Sequence, residues 1–87
     1  MRAAADSTRN PFTLIAMADA EMARGKIEDA RQYLRRARWW FGKEPEVYLA
    51  LSRLARLEGE ESKAKKYSRR AMDLRLKSMD ESAERSN

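Results

Sequence analysis

Apolar residues recur along this chain at steps of three and four, and charged residues fill the positions between them. Such spacing is typical of helices that bury one stripe of their surface. The stripe of the first segment is formed by Leu14, Ile15, Met17, Ala18 and Met22, and that of the third by Tyr48, Leu51, Leu54, Ala55 and Leu57. The pattern predicts an all-α fold with helices over 11–24, 27–41, 45–58 and 61 to about 78.

Turn-forming residues stand at the ends of these predicted helices. Asn10 is placed to cap the first helix, with Pro11 in its first turn, where proline's missing N–H has no intrahelical partner anyway. Pro45 repeats this role for the third helix. Gly25 and Gly59 follow the first and third helices, where glycine accepts the left-handed backbone that closes a helix.

The chain also aligns with itself, without a gap, after a shift of 34 residues. The matched pairs are Pro11 with Pro45, Leu14 with Tyr48, Ala18 with Ser52, Gly25 with Gly59, Ala30 with Ala64, Tyr33 with Tyr67, Arg36 with Arg70, and Ala37 with Ala71. Because proline, glycine, alanine and tyrosine all fall in register, we interpret the chain as two copies of one helical unit.

A period of 34 residues is that of the tetratricopeptide repeat, and the chain resembles this family over residues 11–78. The resemblance implies two tetratricopeptide-like helical hairpins, a fragment of an α-α superhelix. Repeat 1 would span 11–44 and repeat 2 would span 45–78. A flexible N-terminal tail at 1–10 and a C-terminal tail or short capping helix at 79–87 would flank them.

The family pattern also implies how the two helices of each repeat pack. A small residue in the first helix lets the second approach closely, and Ala18 and Ser52 hold that position. Leu34 fills the large apolar slot of repeat 1, whereas Ser68 is expected to leave it empty in repeat 2. The resemblance therefore implies a weaker second repeat.

In this family the first helices line a concave groove that binds an extended or helical peptide of a partner protein. The implied groove residues are Phe12, Ile15, Asp19, Met22, Leu49, Arg53 and Arg56. Members that grip the C-terminal carboxylate of heat-shock chaperones use lysine and asparagine, where this chain has Ile15, Asp19 and Leu49. We therefore do not expect a clamp for chaperone tails.

Three consecutive aromatic residues, Trp39, Trp40 and Phe41, end the second predicted helix. Neighbouring positions on a helix point about 100 degrees apart, so the three cannot all face one core. In one interpretation Trp40 fills the gap between the repeats, while Trp39 and Phe41 cover the end of the hairpin. In the other the cluster is a docking site, since large aromatics near arginine are common in interface hot spots.

Basic residues recur in register on the outer faces of helices two and four. This basic ladder comprises Arg31, Arg35, Arg36, Lys65, Lys66, Arg69 and Arg70. Nearby carboxylates would balance it if it is simply a solvated face. Alternatively it meets phosphates, anionic lipid or an acidic protein, which would make the chain a basic accessory factor binding nucleic acid or membrane.

Composition narrows the chemistry that this chain of 87 residues can perform. It has no histidine and no cysteine, so the commonest general base and the thiolate ligands are missing. We expect no catalytic residues, no cofactor and no metal site. No apolar run approaches the roughly 20 residues of a membrane span, and we expect a soluble, cytoplasmic protein.

The end of the fourth predicted helix carries an apolar stripe of Met72, Leu76 and Met79. Ser78 to Glu81 has the pattern of a capping box that would open a short final helix. Because two repeats are few for independent stability, we expect a homodimer, a bound partner or a longer array. The sequence thus favours a non-catalytic protein-interaction module: an adaptor, a co-chaperone or an assembly subunit.

Overall fold

The computed structural model describes residues 10–86, and it describes the side chains through Met79. This part of the chain contains four helices and no strand: α1 (Pro11–Ala23), α2 (Ile27–Trp40), α3 (Pro45–Leu57) and α4 (Glu61–Ser86). The all-α prediction is confirmed. Residues 1–9, which make up most of the predicted N-terminal tail, lie outside the described residues.

The ends of α1 and α3 follow from local chemistry. The side chain of Asn10 accepts a 2.8 Å hydrogen bond from the Phe12 N–H, and Pro11 opens the helix. Gly25 and Gly59 have positive φ angles of 80° and 78°, as expected for residues that close a helix. The left-handed glycine turns the chain so that the next N–H reaches back to the last turn.

These two closing turns are copies of each other. The N–H of Lys26 donates to the carbonyl of Glu21 at 2.8 Å, and the N–H of Glu60 donates to the carbonyl of Ala55 at 2.8 Å. Both bonds have the six-to-one pattern of a Schellman motif. The 34-residue repeat of the sequence is therefore also a repeat of backbone hydrogen bonding.

Helix α3 lies at the centre of the packing. It contacts α1, α2 and α4, whereas α1 and α2 pack along each other. Its buried residues are Val47, Tyr48, Ala50, Leu51, Ser52, Leu54 and Ala55. Because more than half of α3 is buried, the positions of the other helices depend on it.

Small residues allow close helix contact in the first half of the chain. Ala18, Ala30 and Ala37 are completely buried, and so is Leu34 of α2. Alanine at a helix crossing lets two backbones approach, and a large side chain such as Leu34 then fills the space beside it. Met17, which the sequence pattern places in the buried stripe of the first helix, is 41% exposed instead.

Two of the equivalent positions in the second half, those of Ala18 and Leu34, are filled by a hydroxyl pair. Buried Ser52 donates a 2.9 Å hydrogen bond to the carbonyl of Ala64, and its oxygen lies 2.8 Å from that of Ser68. Since the single hydroxyl hydrogen of Ser52 points to Ala64, Ser68 donates the second bond. The slot expected to be empty at Ser68 therefore holds a hydrogen bond.

Helix α4 is longer than predicted. It continues to Ser86, so residues 79–86 belong to α4, and the predicted capping box at Ser78 to Glu81 opens no new helix. The sequence after Gly59 contains neither glycine nor proline, so nothing in it breaks the helix. The end of α2 at Trp40 corresponds to position 74, and α4 therefore extends about 18 Å beyond that point.

Truncation of Leu34 to alanine tests the core. Leu34 is fully buried, so Leu34→Ala is expected to lower the free energy of unfolding by about 2 to 5 kcal/mol. Leu57 is 58% exposed, and Leu57→Ala is expected to cost under about 0.5 kcal/mol as the matched control. Urea unfolding followed by circular dichroism measures both, and similar losses in the two variants would contradict this core assignment.

Candidate protein-interaction site

An open cleft lies between α1 and α3, and we call it the α1–α3 groove. Its volume is about 510 Å³, and its lining residues are Asp19, Met22, Ala23, Arg53, Arg56 and Leu57. These residues form three pairs separated by 34 positions. The groove is therefore made by the same face of both repeat units.

The structure brings four of the seven predicted groove residues together here, namely Asp19, Met22, Arg53 and Arg56. The other three lie elsewhere. Phe12 is exposed near the start of α1, and Leu49 is half-buried against the core. Ile15 is only 7% exposed, so it belongs to the core and offers almost no surface to a partner.

Sequence reasoning missed Ala23 and Leu57 as groove residues. Each follows an already predicted position, Asp19 or Arg53, by four residues on the same helix face. This four-residue spacing could therefore have identified both groove residues from the sequence. Leu57 adds a large apolar side chain to the groove, and 58% of its surface is exposed.

An ion pair crosses the groove from α3 to α1. One guanidinium nitrogen of Arg53 donates to both carboxylate oxygens of Asp19, each at 3.1 Å. The two side chains are 48% and 45% exposed, so water screens their attraction. The pair joins equivalent positions of the two repeats. Because its two charges cancel, the net charge of the groove comes from the charged residue that remains.

Arg56 gives the groove its net positive charge, because the charges of Asp19 and Arg53 cancel. Within the described residues, no carboxylate lies within ion-pairing distance of its guanidinium. Met22 and Leu57 lie beside it in the same groove. The groove thus combines apolar surface with one cation that can bind a carboxylate of a partner.

The aromatic residues at the end of α2 separate into two environments. Trp39 is 83% exposed and Trp40 is 54% exposed, whereas Phe41 packs partly against the core. Since more than half of Trp40 is exposed, the interpretation that it fills the gap between the repeats is wrong. The two tryptophans form an exposed aromatic surface, which is the composition expected of a docking site.

The basic ladder is divided among several environments. Arg31 forms ion pairs with Glu28 and with Glu58 at the end of α3. Arg31 and Arg35 of the ladder also line a second cleft of about 370 Å³. The other residues that line this cleft are Arg38, Leu51, Leu54, Ala55, Glu58, Glu60, Lys63 and Tyr67. Carboxylates thus neutralise part of the ladder.

The remaining ladder residues point to other surroundings. Arg36 lines a separate cleft with Glu21, Asp29, Gln32 and Tyr33. The guanidinium carbon of Arg70 lies 5.9 Å from the centre of the Tyr48 ring, within the range of a cation–π contact. Exposed ladder residues without these contacts are Lys65, Lys66 and Arg69. Equal sequence spacing therefore does not produce one continuous basic surface.

Comparison with known proteins does not assign the chain to a family. No protein-family model and no curated protein sequence matches the chain. Within the described residues, none of the helices combines the length and the apolar character needed to cross a bilayer.

The ion pair across the groove is expected to contribute little to stability. In a double-mutant cycle of Asp19→Asn and Arg53→Gln, we expect a coupling energy of about 0.2 to 1 kcal/mol, reduced at high salt. Urea unfolding of the two single variants and the double variant measures it. The cycle of Asp19→Asn with Lys66→Gln, on another surface, is expected to show no coupling. A coupling above about 2 kcal/mol would show that the pair is shielded from water.

Proposed function

We propose that the chain is a non-catalytic protein-interaction module of the tetratricopeptide type, which binds a segment of a partner protein in the α1–α3 groove. The observation that carries the proposal is the groove itself, since both repeat units contribute equivalent positions to it. A role as an adaptor, a co-chaperone or an assembly subunit is consistent with such a module.

The lining of the groove indicates the chemistry of the partner segment. Met22 and Leu57 offer apolar surface, and Arg56 offers a cation without a carboxylate partner among the described residues. A matching segment would place an apolar side chain between the two helices and a carboxylate beside Arg56. Burial of the apolar side chain would supply affinity, and the charge contact would set its position.

The exposed tryptophans at the end of α2 support an interaction role as a second contact region. Trp39 and Trp40 leave large aromatic area in water, which is costly unless a partner covers it. The ladder gives less support to nucleic-acid or membrane binding. Its residue Arg31 is neutralised by two carboxylates, and Arg70 lies over Tyr48.

Selection from a random peptide library displayed on phage tests the groove. Peptides that bind the full chain are expected to share an apolar residue next to Asp or Glu. For a selected synthetic peptide, Arg56→Glu is expected to weaken binding about tenfold or more, because attraction becomes repulsion. Fluorescence polarisation at fixed salt measures the dissociation constant.

Lys66→Glu is the matched control for that experiment. It makes the same change of net charge on α4, outside the groove, and we expect it to leave peptide binding unchanged. An equal loss in both variants would show that overall charge, not the groove, attracts the peptide. Selected peptides that bind wild type and Arg56→Glu equally would argue against this groove as the binding site.

A further inference from the structure

The outer face of α4 carries a second apolar surface, away from the α1–α3 groove. Met72, Leu76 and Met79 are 64%, 55% and 63% exposed, and their spacing of four and three residues places them on one face. We call these three residues the α4 stripe. A four-and-three spacing is the pattern by which two helices pair along a seam.

The α4 stripe is not the face by which α4 joins the fold. Among the side chains of α4 that the structure describes, the buried ones are those of Ala64, Ala71 and Leu74, and α3 is the helix that packs most closely along it. The stripe thus remains available after the four helices have packed. It also reaches into the part of α4 that extends past the position equivalent to the end of α2.

Charge changes sign along α4. Residues 61–70 contain five basic residues and one acidic residue, whereas residues 80–86 contain three acidic residues and one basic residue. Two such helices side by side in parallel would align like charges at each end. In an antiparallel pair the basic part of each helix would lie beside the acidic part of the other.

The repeat register gives a second reason to expect acidic neighbours beside the basic part of α4. Arg31 of the first repeat is paired with Glu28 and Glu58. Its equivalent, Lys65, and nearby Arg69 have no carboxylate within ion-pairing distance in the described part of the chain. A second copy placed antiparallel would bring carboxylates to this region.

We propose that two copies of the chain pair through their α4 helices, antiparallel, about a two-fold axis near residues 75 and 76. This arrangement places Met72 of each copy opposite Met79 of the second copy, and it covers both stripes. The contact is isologous, since the same patch serves on both sides. It does not depend on the α1–α3 groove, so either proposal can fail alone.

The oligomeric state in solution tests the pairing. Light scattering after size exclusion, over roughly a hundredfold range of concentration, is expected to show a dimer that dissociates on dilution. Leu76→Glu is expected to raise the dissociation constant about tenfold or more, because two carboxylates would meet near the axis. Leu76 is already exposed, so helicity by circular dichroism should be unchanged.

Leu57→Glu is the matched control, since Leu57 has almost the same exposure as Leu76 but lies in the groove. It is expected to leave the dimer intact and to weaken peptide binding, whereas Leu76→Glu should do the opposite. A wild-type chain that stays monomeric at every concentration would overturn the proposal. So would equal effects of the two variants on the dimer.

Disulfide formation tests the antiparallel direction, and the absence of cysteine makes the experiment clean. In the proposed dimer the two copies of position 72 are offset by seven residues, about 10 Å along the axis. This exceeds the Cα separation of about 4.4 to 6.8 Å that a disulfide needs. A mixture of Met72→Cys and Met79→Cys chains should therefore form mixed disulfides faster than either variant forms its own. Faster disulfide formation within each variant would show parallel pairing and overturn the proposal.

Discussion

The fold depends on the burial of α3, which packs against three neighbouring helices at once. Val47 is completely buried in its first turn, and Leu54 is almost completely buried near its end. Residues of α3 also shape the surface. Arg53, Arg56 and Leu57 line the groove on one side of the helix, whereas Leu51 and Leu54 line the cleft beside α2. The same helix therefore organises both the core and the surfaces available to a partner.

Repetition of the sequence determines where side chains lie, and differences between the two units determine what those side chains do. Asp19 and Arg53 occupy the same position in successive units, and their opposite charges join α1 to α3 across the groove. Ser52 and Ser68 replace an alanine and a leucine, and a hydrogen bond takes the place of apolar packing. A strict duplication would have produced repulsion at the first position. The divergence of the units therefore contributes both to their packing and to the chemistry of the groove.

Local features of the fold were predictable from the sequence, but the division of the arginines among neighbours was not. Pro11 and Gly25 act within one turn of their own helix, so the limits of α1 follow from nearest-neighbour chemistry. One of the two partners of Arg31 is Glu58, which lies 27 positions away and is reached only when α2 and α3 pack. The sequence underestimates the length of α4 because the polar residues after Met79 continue no apolar stripe, although nothing in them breaks a helix. Exposure of Trp40 likewise depends on packing that spacing alone does not define.

The groove and the α4 stripe belong to different helix pairs, and this separation matters for binding strength. A two-fold dimer joined through α4 would leave both grooves open, because the residues that line the groove belong to α1 and α3. Two linked grooves bind a partner that carries two suitable segments much more tightly than one groove does, since the second contact forms within the same complex. A shallow groove with one cation, Arg56, that has no carboxylate partner among the described side chains would have modest affinity by itself. Pairing through Met72, Leu76 and Met79 would therefore turn a weak single site into a selective double one.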